Sequence, residues 1–202
     1  SMTLPRETFK ELDAESVLKL VTKSLALPVV VKPARSGSAQ GVTIVKKQDQ
    51  LNQAMIDAYV YCDVAVIEDF IEGTELAVGV IDLGAGPIAL PAVEIEPRSG
   101  HFGFEERYVA GETDYFVPAR LSKSVSAKAA KVAIDAHEAL GLRHISRVDM
   151  IIDAKGVPWF LEANVLPGLT ETSLLPQAIL AEGSTLGDVY YSLAQVALRG
   201  RG

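Results

Sequence analysis

The residues best suited to do chemistry lie in Ser146–Pro167, which reads SRVDMIIDAKGVPWFLEANVLP. Two β-prone runs, Arg147–Ile152 and Val157–Ala163, flank Lys155-Gly156, a pair suited to a tight reversal, so the spacing predicts an antiparallel hairpin. With those two residues as the loop, Asp149 lies opposite Glu162 and Arg147 opposite Asn164. The period-two pleat then puts all four side chains on one face and leaves the other apolar. Two carboxylates about 4 Å apart repel by roughly 4 kcal/mol at an effective dielectric of about 20, so the pair calls for a cation. Oxygen-only ligands from Asp, Glu and Asn suit a hard ion, and Mg²⁺ held by a few protein oxygens completes its octahedron with water and nucleotide phosphates. A nucleotide site follows. The other reading is a solvated hairpin face with an Arg–carboxylate bridge. Pro167-Gly168, which follows at once, and features upstream favour the first.

The elements that must position this hairpin can be read in order. Asp13 is placed to cap a helix to about Leu25 with an apolar stripe of Val17, Leu20, Val21 and Ser24 or Leu25, stopped by Pro28. Val29–Lys32 is a short buried strand ending in a lysine, and a loop rich in Gly and Ser, Pro33 to Gly41, leads to a strand at Val42–Val45. A loop with exposed amides and hydroxyls and a lysine at its base can fold over phosphates; it can equally just turn the chain. Asp49 caps a helix to about Tyr61, and Ala65–Glu68 is a strand. From there Ile67–Glu75 crosses to a strand at Leu76–Asp82. In that crossing the main chain at Phe70 and Ile71 could meet an adenine and Glu75 ribose hydroxyls, or the acids simply solvate a surface loop. Gly84-Ala85-Gly86 turns the chain into Ile88–Ile95, completing a three-stranded face of a first lobe.

Residues 97–112 break the pattern, with three glycines around Glu105-Glu106-Arg107-Tyr108. A loop this long is often a lid, on which Arg107 could reach a phosphate and Tyr108 a substrate; an ordinary surface loop is the alternative. Asp114–Ala119 returns to strand. Ser122 opens a helix with the stripe Val125, Ala129, Val132, Ala136 and Leu140, ending at Gly141. His101, His137 and His144 have no neighbouring ligand or nucleophile and read as structural or solvent-facing. After the hairpin, Pro167–Ser173 leads into a helix at Leu174–Ala181, whose N-terminus and Ser173 hydroxyl could take a carboxylate or serve as a cap. A last helix spans Leu186–Leu198, with Val189, Leu193 and Val196 or Ala197 toward the core.

The 202 residues suit one domain or two small lobes, and 22% charged residues argue against disorder. A net charge of −7 argues against nucleic acid or an anionic membrane as partner. The single cysteine, Cys62, excludes an internal disulfide framework and reads as a small buried hydrophobe. No run is long enough for a membrane span and the N-terminus lacks a signal-peptide pattern, so the expected compartment is the cytoplasm. Ser1 before Met2 reads as an appended residue.

Taken together, VVVKPARSGSAQGV, VIEDFIEGTELAVGV, EERYVAGETDYFVPA, SRVDMIID and FLEANVLPGLTETSLLP resemble, in order and spacing, the D-alanine–D-alanine ligases, an ATP-grasp family. The resemblance covers the chain from about Leu27. It implies an α+β ATP-grasp fold whose two antiparallel lobes, residues 4–95 and 96–202 with a lid at 97–112, sandwich the nucleotide. It also implies an ATP- and Mg-dependent carboxylate–amine ligase joining two D-alanines through an acyl phosphate for peptidoglycan. By motif position Lys32 would contact ATP phosphates, Ser38 would sit in the loop closing over the site, Glu68 would lie by the adenine and Glu75 at the ribose. Asp149, Glu162 and Asn164 would hold two Mg²⁺ ions. Arg147 and the Gly168 amide would stabilise the tetrahedral oxyanion, Ser173 would bind the second amino acid's carboxylate, and Tyr108 would sit near that substrate.

Three departures stand out. Asp69 replaces a lysine that the family often has beside the adenine. Arg107 replaces a lysine at the γ-phosphate, and the two are not interchangeable at such sites. The family's N-terminal domain has no counterpart, so the implied partners are small amino acids and that domain or a partner chain, with a homodimer as one assembly. A stand-alone ATP-grasp ligase for another amino acid and a non-catalytic ATP-binding module are the alternative functions.

Overall fold

The computed structural model describes residues 1–12, 14–37, 39–98, 109 and 111–199. The chain divides into two compact units, Ser1–Phe70 with Arg98–Glu112, and Ile71–Pro97 with Thr113–Gly202.

The first unit is built on four antiparallel strands: β1 (Met2–Pro5), β2 (Val29–Pro33), β3 (Thr43–Val45) and β4 (Val64–Asp69), in the order β1-β4-β2-β3. Their inward residues Leu4, Val29, Val31, Val45, Ala65 and Ile67 form one core with Leu51, Ala54, Met55, Ala58 and Tyr59. Of the helices α1 (Arg6–Glu11), α2 (Ala14–Ser24) and α3 (Leu51–Tyr61), the third supplies that second set. The Tyr59 hydroxyl donates to the Leu4 carbonyl at 3.1 Å, and burial pushes its pKa up to about 12. β1 and α1 are too short to show a periodicity, and sequence reading missed them. On α2, Val17 and Val21 are buried as expected and Leu25, just past its end, packs on the core as expected too, but Leu20 is 59% exposed and Leu18 packs there instead. The expected cap at Asp13 lies outside the described residues. Asp49 does not cap α3: it sits in a 3₁₀ turn, Gln48–Gln50, and the Gln50 side chain accepts from the Lys46 and Lys47 amides at 3.1 and 3.0 Å.

The second unit carries β5 (Thr74–Asp82), β6 (Pro87–Ala89), β7 (Val93–Pro97), β8 (Thr113–Phe116), β9 (Ile145–Ile152) and β10 (Pro158–Asn164). They form one antiparallel sheet, β10-β9-β5-β7-β8, with β6 alongside β5. This moves the expected lobe boundary from Ile95 to Phe70. The reason is β5 itself: residues Leu76–Ile81 are all buried, as a central strand needs, and β9 pairs with the strand along its length. The strand expected at Ile88–Ile95 is broken into β6 and β7 around Pro91, which has no amide to give the ladder.

One face of this sheet packs Leu76, Val78, Val80, Val148, Met150 and Ile152 against Ala129 and Ala133 of α4 (Lys123–Ala139). Ser122 caps that helix as expected, its Oγ accepting from the Val125 amide at 3.3 Å. Leu140, expected in the buried stripe, is 57% exposed; the stripe closes on His137, which is 2% exposed and lies 2.7 Å by Nδ1 from Ser146 Oγ. α5 (Leu174–Ala181) packs on the opposite face, and α6 (Leu186–Arg199) follows it. Gly79 makes room for that packing, since a Cβ there would lie 2.5 Å from Leu175 Cδ1.

Candidate functional site

The hairpin of β9 and β10 brings the expected set together. Glu162 pairs with Asp149 and Asn164 with Arg147. Nearer the turn the register is offset by one residue, Phe160 facing Met150, and Leu161 is the extra residue of a bulge. The loop is also one residue longer than expected. Asp153 and Val157 close it through an amide–carbonyl bond of 3.1 Å, and Gly156 adopts φ +73°, the left-handed position of a three-residue hairpin loop. Loop and bulge offset each other. Trp159, 45% exposed, donates its indole N–H to Asp153 Oδ2 at 3.0 Å. That bond, with the Val157 amide, holds the Asp153 carboxyl below its usual range.

Side-chain geometry on the site face is explicit. Arg147 Nε donates to Asp149 Oδ1 and Nη2 to Oδ2, both at 2.7 Å, a bidentate fork between side chains 12% and 6% exposed. Asn164 Nδ2 donates to Asp149 Oδ2 at 3.1 Å and reaches Glu162 Oε1 at 3.4 Å. Burial alone would lower the Arg147 pKa, but the Asp149 bond and the charges of Asp149, Glu162 and Glu75 outweigh it and raise it. Glu75, on β5 two residues from Ala77, the partner of Asp149, shares this face by pleat alternation.

Beyond the hairpin, Ser173 stands at the N-cap of α5, yet its side chain makes no capping bond. Its hydroxyl lies instead 2.8 Å from Thr170 Oγ1. Gly168 is needed there, because a Cβ would come within 2.5 Å of Ser173 Oγ. Thr170 is a residue sequence reading missed. Its one signal is a hydroxyl three residues before the cap.

In the first unit, Lys32 and Glu68 sit diagonally on the paired strands β2 and β4 and form an ion pair, each side chain 27% exposed. The Phe70 amide donates to the Pro28 carbonyl at 3.2 Å and so is already engaged. Ile71 opens the second unit, and Asp69 is exposed at the end of β4. Ser38, Arg107 and Tyr108 lie outside the described residues.

Among the described residues no three His, Cys, Asp or Glu side chains converge as a metal site. The hairpin offers two opposed carboxylates and one amide, a hard-oxygen set that fits Mg²⁺, which takes few protein ligands. For Asn164 to join it, the amide must present oxygen where it now presents nitrogen. Among the described residues no helix is long and apolar enough to cross a membrane.

The family described as D-ala D-ala ligase C-terminus matches residues 2–195. The D-alanine–D-alanine ligase of Bordetella petrii is 38% identical over 189 residues, covering 94% of this chain and 58% of that protein. That of Geotalea uraniireducens is 40% identical over 168 residues, 83% of this chain and 52% of that protein. Among solved structures, the VanG D-Ala:D-Ser ligase of Enterococcus faecalis superposes with TM-score 0.81 at 29% identity, over 96% of this chain and 55% of that one. The Bacillus anthracis D-alanine–D-alanine ligase complexed with ATP gives 0.77 at 26%, over 99% and 60%. The chain thus spans little more than half the length of the relatives it matches. With two antiparallel sheets carrying helices and a family match that runs through both, it belongs to the D-alanine–D-alanine ligase family and has the α+β ATP-grasp fold of that family's C-terminal region.

Proposed function

We propose that this chain is the nucleotide-binding and phosphoryl-transfer part of an ATP-dependent ligase that joins two D-alanines for peptidoglycan in the cytoplasm. The observation that carries the reading is the facing of Asp149 and Glu162 across the hairpin, with Arg147 and Asn164 two pairs further on and so on the same face. In the reaction, one D-alanine carboxylate oxygen takes the γ-phosphoryl group, giving an acyl phosphate and ADP. The amine of the second D-alanine then attacks the acyl carbon, and the tetrahedral adduct expels phosphate to leave the peptide bond.

Asp149, Glu162 and Asn164 would hold two Mg²⁺ ions, whose contribution when bound is to neutralise phosphate charge. The residues of the chain mostly position and balance charge. Lys32 would meet the phosphates once it gives up Glu68, and Glu68 with the main chain at Phe70 and Ile71 would address the adenine. Glu75 would take the ribose hydroxyls, and Arg107 and Ser38 the phosphate end. Arg147 and the Gly168 amide would face the developing oxyanion. Ser173, not engaged as a cap, would bind the second substrate's carboxylate with Tyr108 nearby. The VanG relative is titled a D-Ala:D-Ser ligase, so the second amino acid is tested with both D-alanine and D-serine.

Titration calorimetry with a non-hydrolysable ATP analogue, with and without Mg²⁺, tests the reading. Magnesium-dependent binding is expected, weakened about tenfold or more in Glu162→Gln. Binding indifferent to both would overturn it. Ligation by these 202 residues alone is expected to be poor, because the first D-alanine site is proposed to draw on segments of the longer relatives outside the stretch matched here.

A further inference from the structure

The two carboxylates proposed as metal ligands are not in the same state. Asp149 is 4% exposed and its two oxygens already accept three short hydrogen bonds, two from the Arg147 fork at 2.7 Å and one from Asn164 at 3.1 Å. A carboxylate offers about four acceptor positions, so little is left for a cation. Glu162 is exposed and, among the described residues, takes only the long 3.4 Å contact from Asn164.

We infer that Arg147 acts as a built-in counter-ion for Asp149, so that divalent cations load in sequence: first at Glu162, then at Asp149 once the Arg147 fork opens and the Asn164 amide turns. This rests on the metal reading given above. The consequence concerns Arg147. While both of its forked N–H groups are spent on Asp149 they cannot face substrate, and the event that fills the second ion position is the one that frees them. Arg147 is therefore a positioning partner of the metal site before it faces any reacting atom, and cation loading and guanidinium release are one coupled equilibrium. Such coupling is reciprocal. Whatever weakens the fork must favour the second cation.

The test uses the full chain and needs no turnover. Proton exchange at the Arg147 Nε–H is followed by ¹⁵N NMR during Mg²⁺ titration with a non-hydrolysable ATP analogue, the signal being assigned by its loss in Arg147→Lys. Mn²⁺ binding is titrated in parallel on the parent and on Arg147→Met. The expected result is an Nε–H protected without cation, whose exchange accelerates as the second ion binds, and second-ion affinity about tenfold tighter in Arg147→Met. An Nε–H that stays protected with both ions bound overturns the proposal, as does unchanged or weaker Mn²⁺ binding in a folded Arg147→Met. If Arg147→Met does not fold, the exchange measurement on the parent decides alone. Cation binding that Glu162→Gln leaves untouched overturns the metal reading as well, which separates the two failures.

Discussion

His137 shows what a titratable residue does when chemistry has not claimed it. Its ring is 2% exposed and tied at 2.7 Å to Ser146 Oγ, the residue before Arg147, so it fastens α4 to the strand bearing the site. Burial depresses its pKa more than the charges of Asp82 and Glu138 raise it. The unfolded chain therefore binds a proton near pH 6.5 that the folded chain refuses until a lower pH, and stability is full above about 6.5 and falls as pH drops through that window. Urea unfolding at pH 7.5 and 5.5 should show this loss, with a flatter dependence in His137→Gln. The absence of neighbouring ligands in the sequence pointed to a structural or solvent-facing histidine. That it is buried could not be read, because Leu140 competes for the same stripe and only the sheet's extent decides which turn is covered.

At the scale of elements, two glycines with no unusual dihedral show how tightly β5 is enclosed. A Cβ at Gly73 would lie 2.1 Å from the Ile152 carbonyl oxygen, whereas at Gly79 it would meet only the methyl ends of Leu175 and Leu90, at 2.5 and 3.0 Å. Side-chain ends can rotate away; a carbonyl beside the Thr74–Ile152 pair cannot. Urea midpoints are expected to place Gly73→Ala as the costlier change, about 2 kcal/mol or more, with Gly79→Ala nearer 1 kcal/mol. The hairpin teaches the complementary lesson about legibility. Alternation and the Lys155-Gly156 pair placed Asp149 opposite Glu162 correctly, although the loop has one more residue than assumed, because the Leu161 bulge restores the register. Bulges leave little trace in a sequence, since a leucine such as Leu161 fits a regular strand position as readily as a bulged one. The side-chain set was legible because residue types and parity carry it; the Arg147 fork was not, because parity cannot say which acid a guanidinium chooses.

For the whole molecule, the informative error is the lobe boundary. Consecutive strands β5 to β7 read as the completion of a first lobe, and the pairing that overrules this joins β5 to β9 across more than sixty residues. No local signal specifies such a pairing. The only hint was the unbroken apolar run Leu76–Ile81, which only a strand covered on both faces can bury. The second unit is consequently interrupted at β7 and β8, whose ends stay adjacent: Pro97 pairs with Thr113, and the Arg98 amide donates to the Glu112 carbonyl at 2.9 Å. Replacing residues 99–111 by a short turn should therefore leave the second unit's transition in scanning calorimetry within a few degrees of the parent. The same change removes Arg107, proposed at the phosphate end, so nucleotide binding should weaken.

The bond from Trp159 to Asp153 gives the hairpin an optical label. The chain has one tryptophan, half-exposed and three residues from Glu162, while tyrosines occur in both units. Excitation at the red edge of the indole band thus reports one strand of one unit, and a shift in its emission on adding Mg²⁺ and nucleotide analogue reads events on the site hairpin without an introduced dye. In acid the same indole should lose its acceptor only below the usual carboxylate range, since Asp153 is held below it. Emission recorded against pH would trace that single carboxyl among the 26 acidic side chains of the chain.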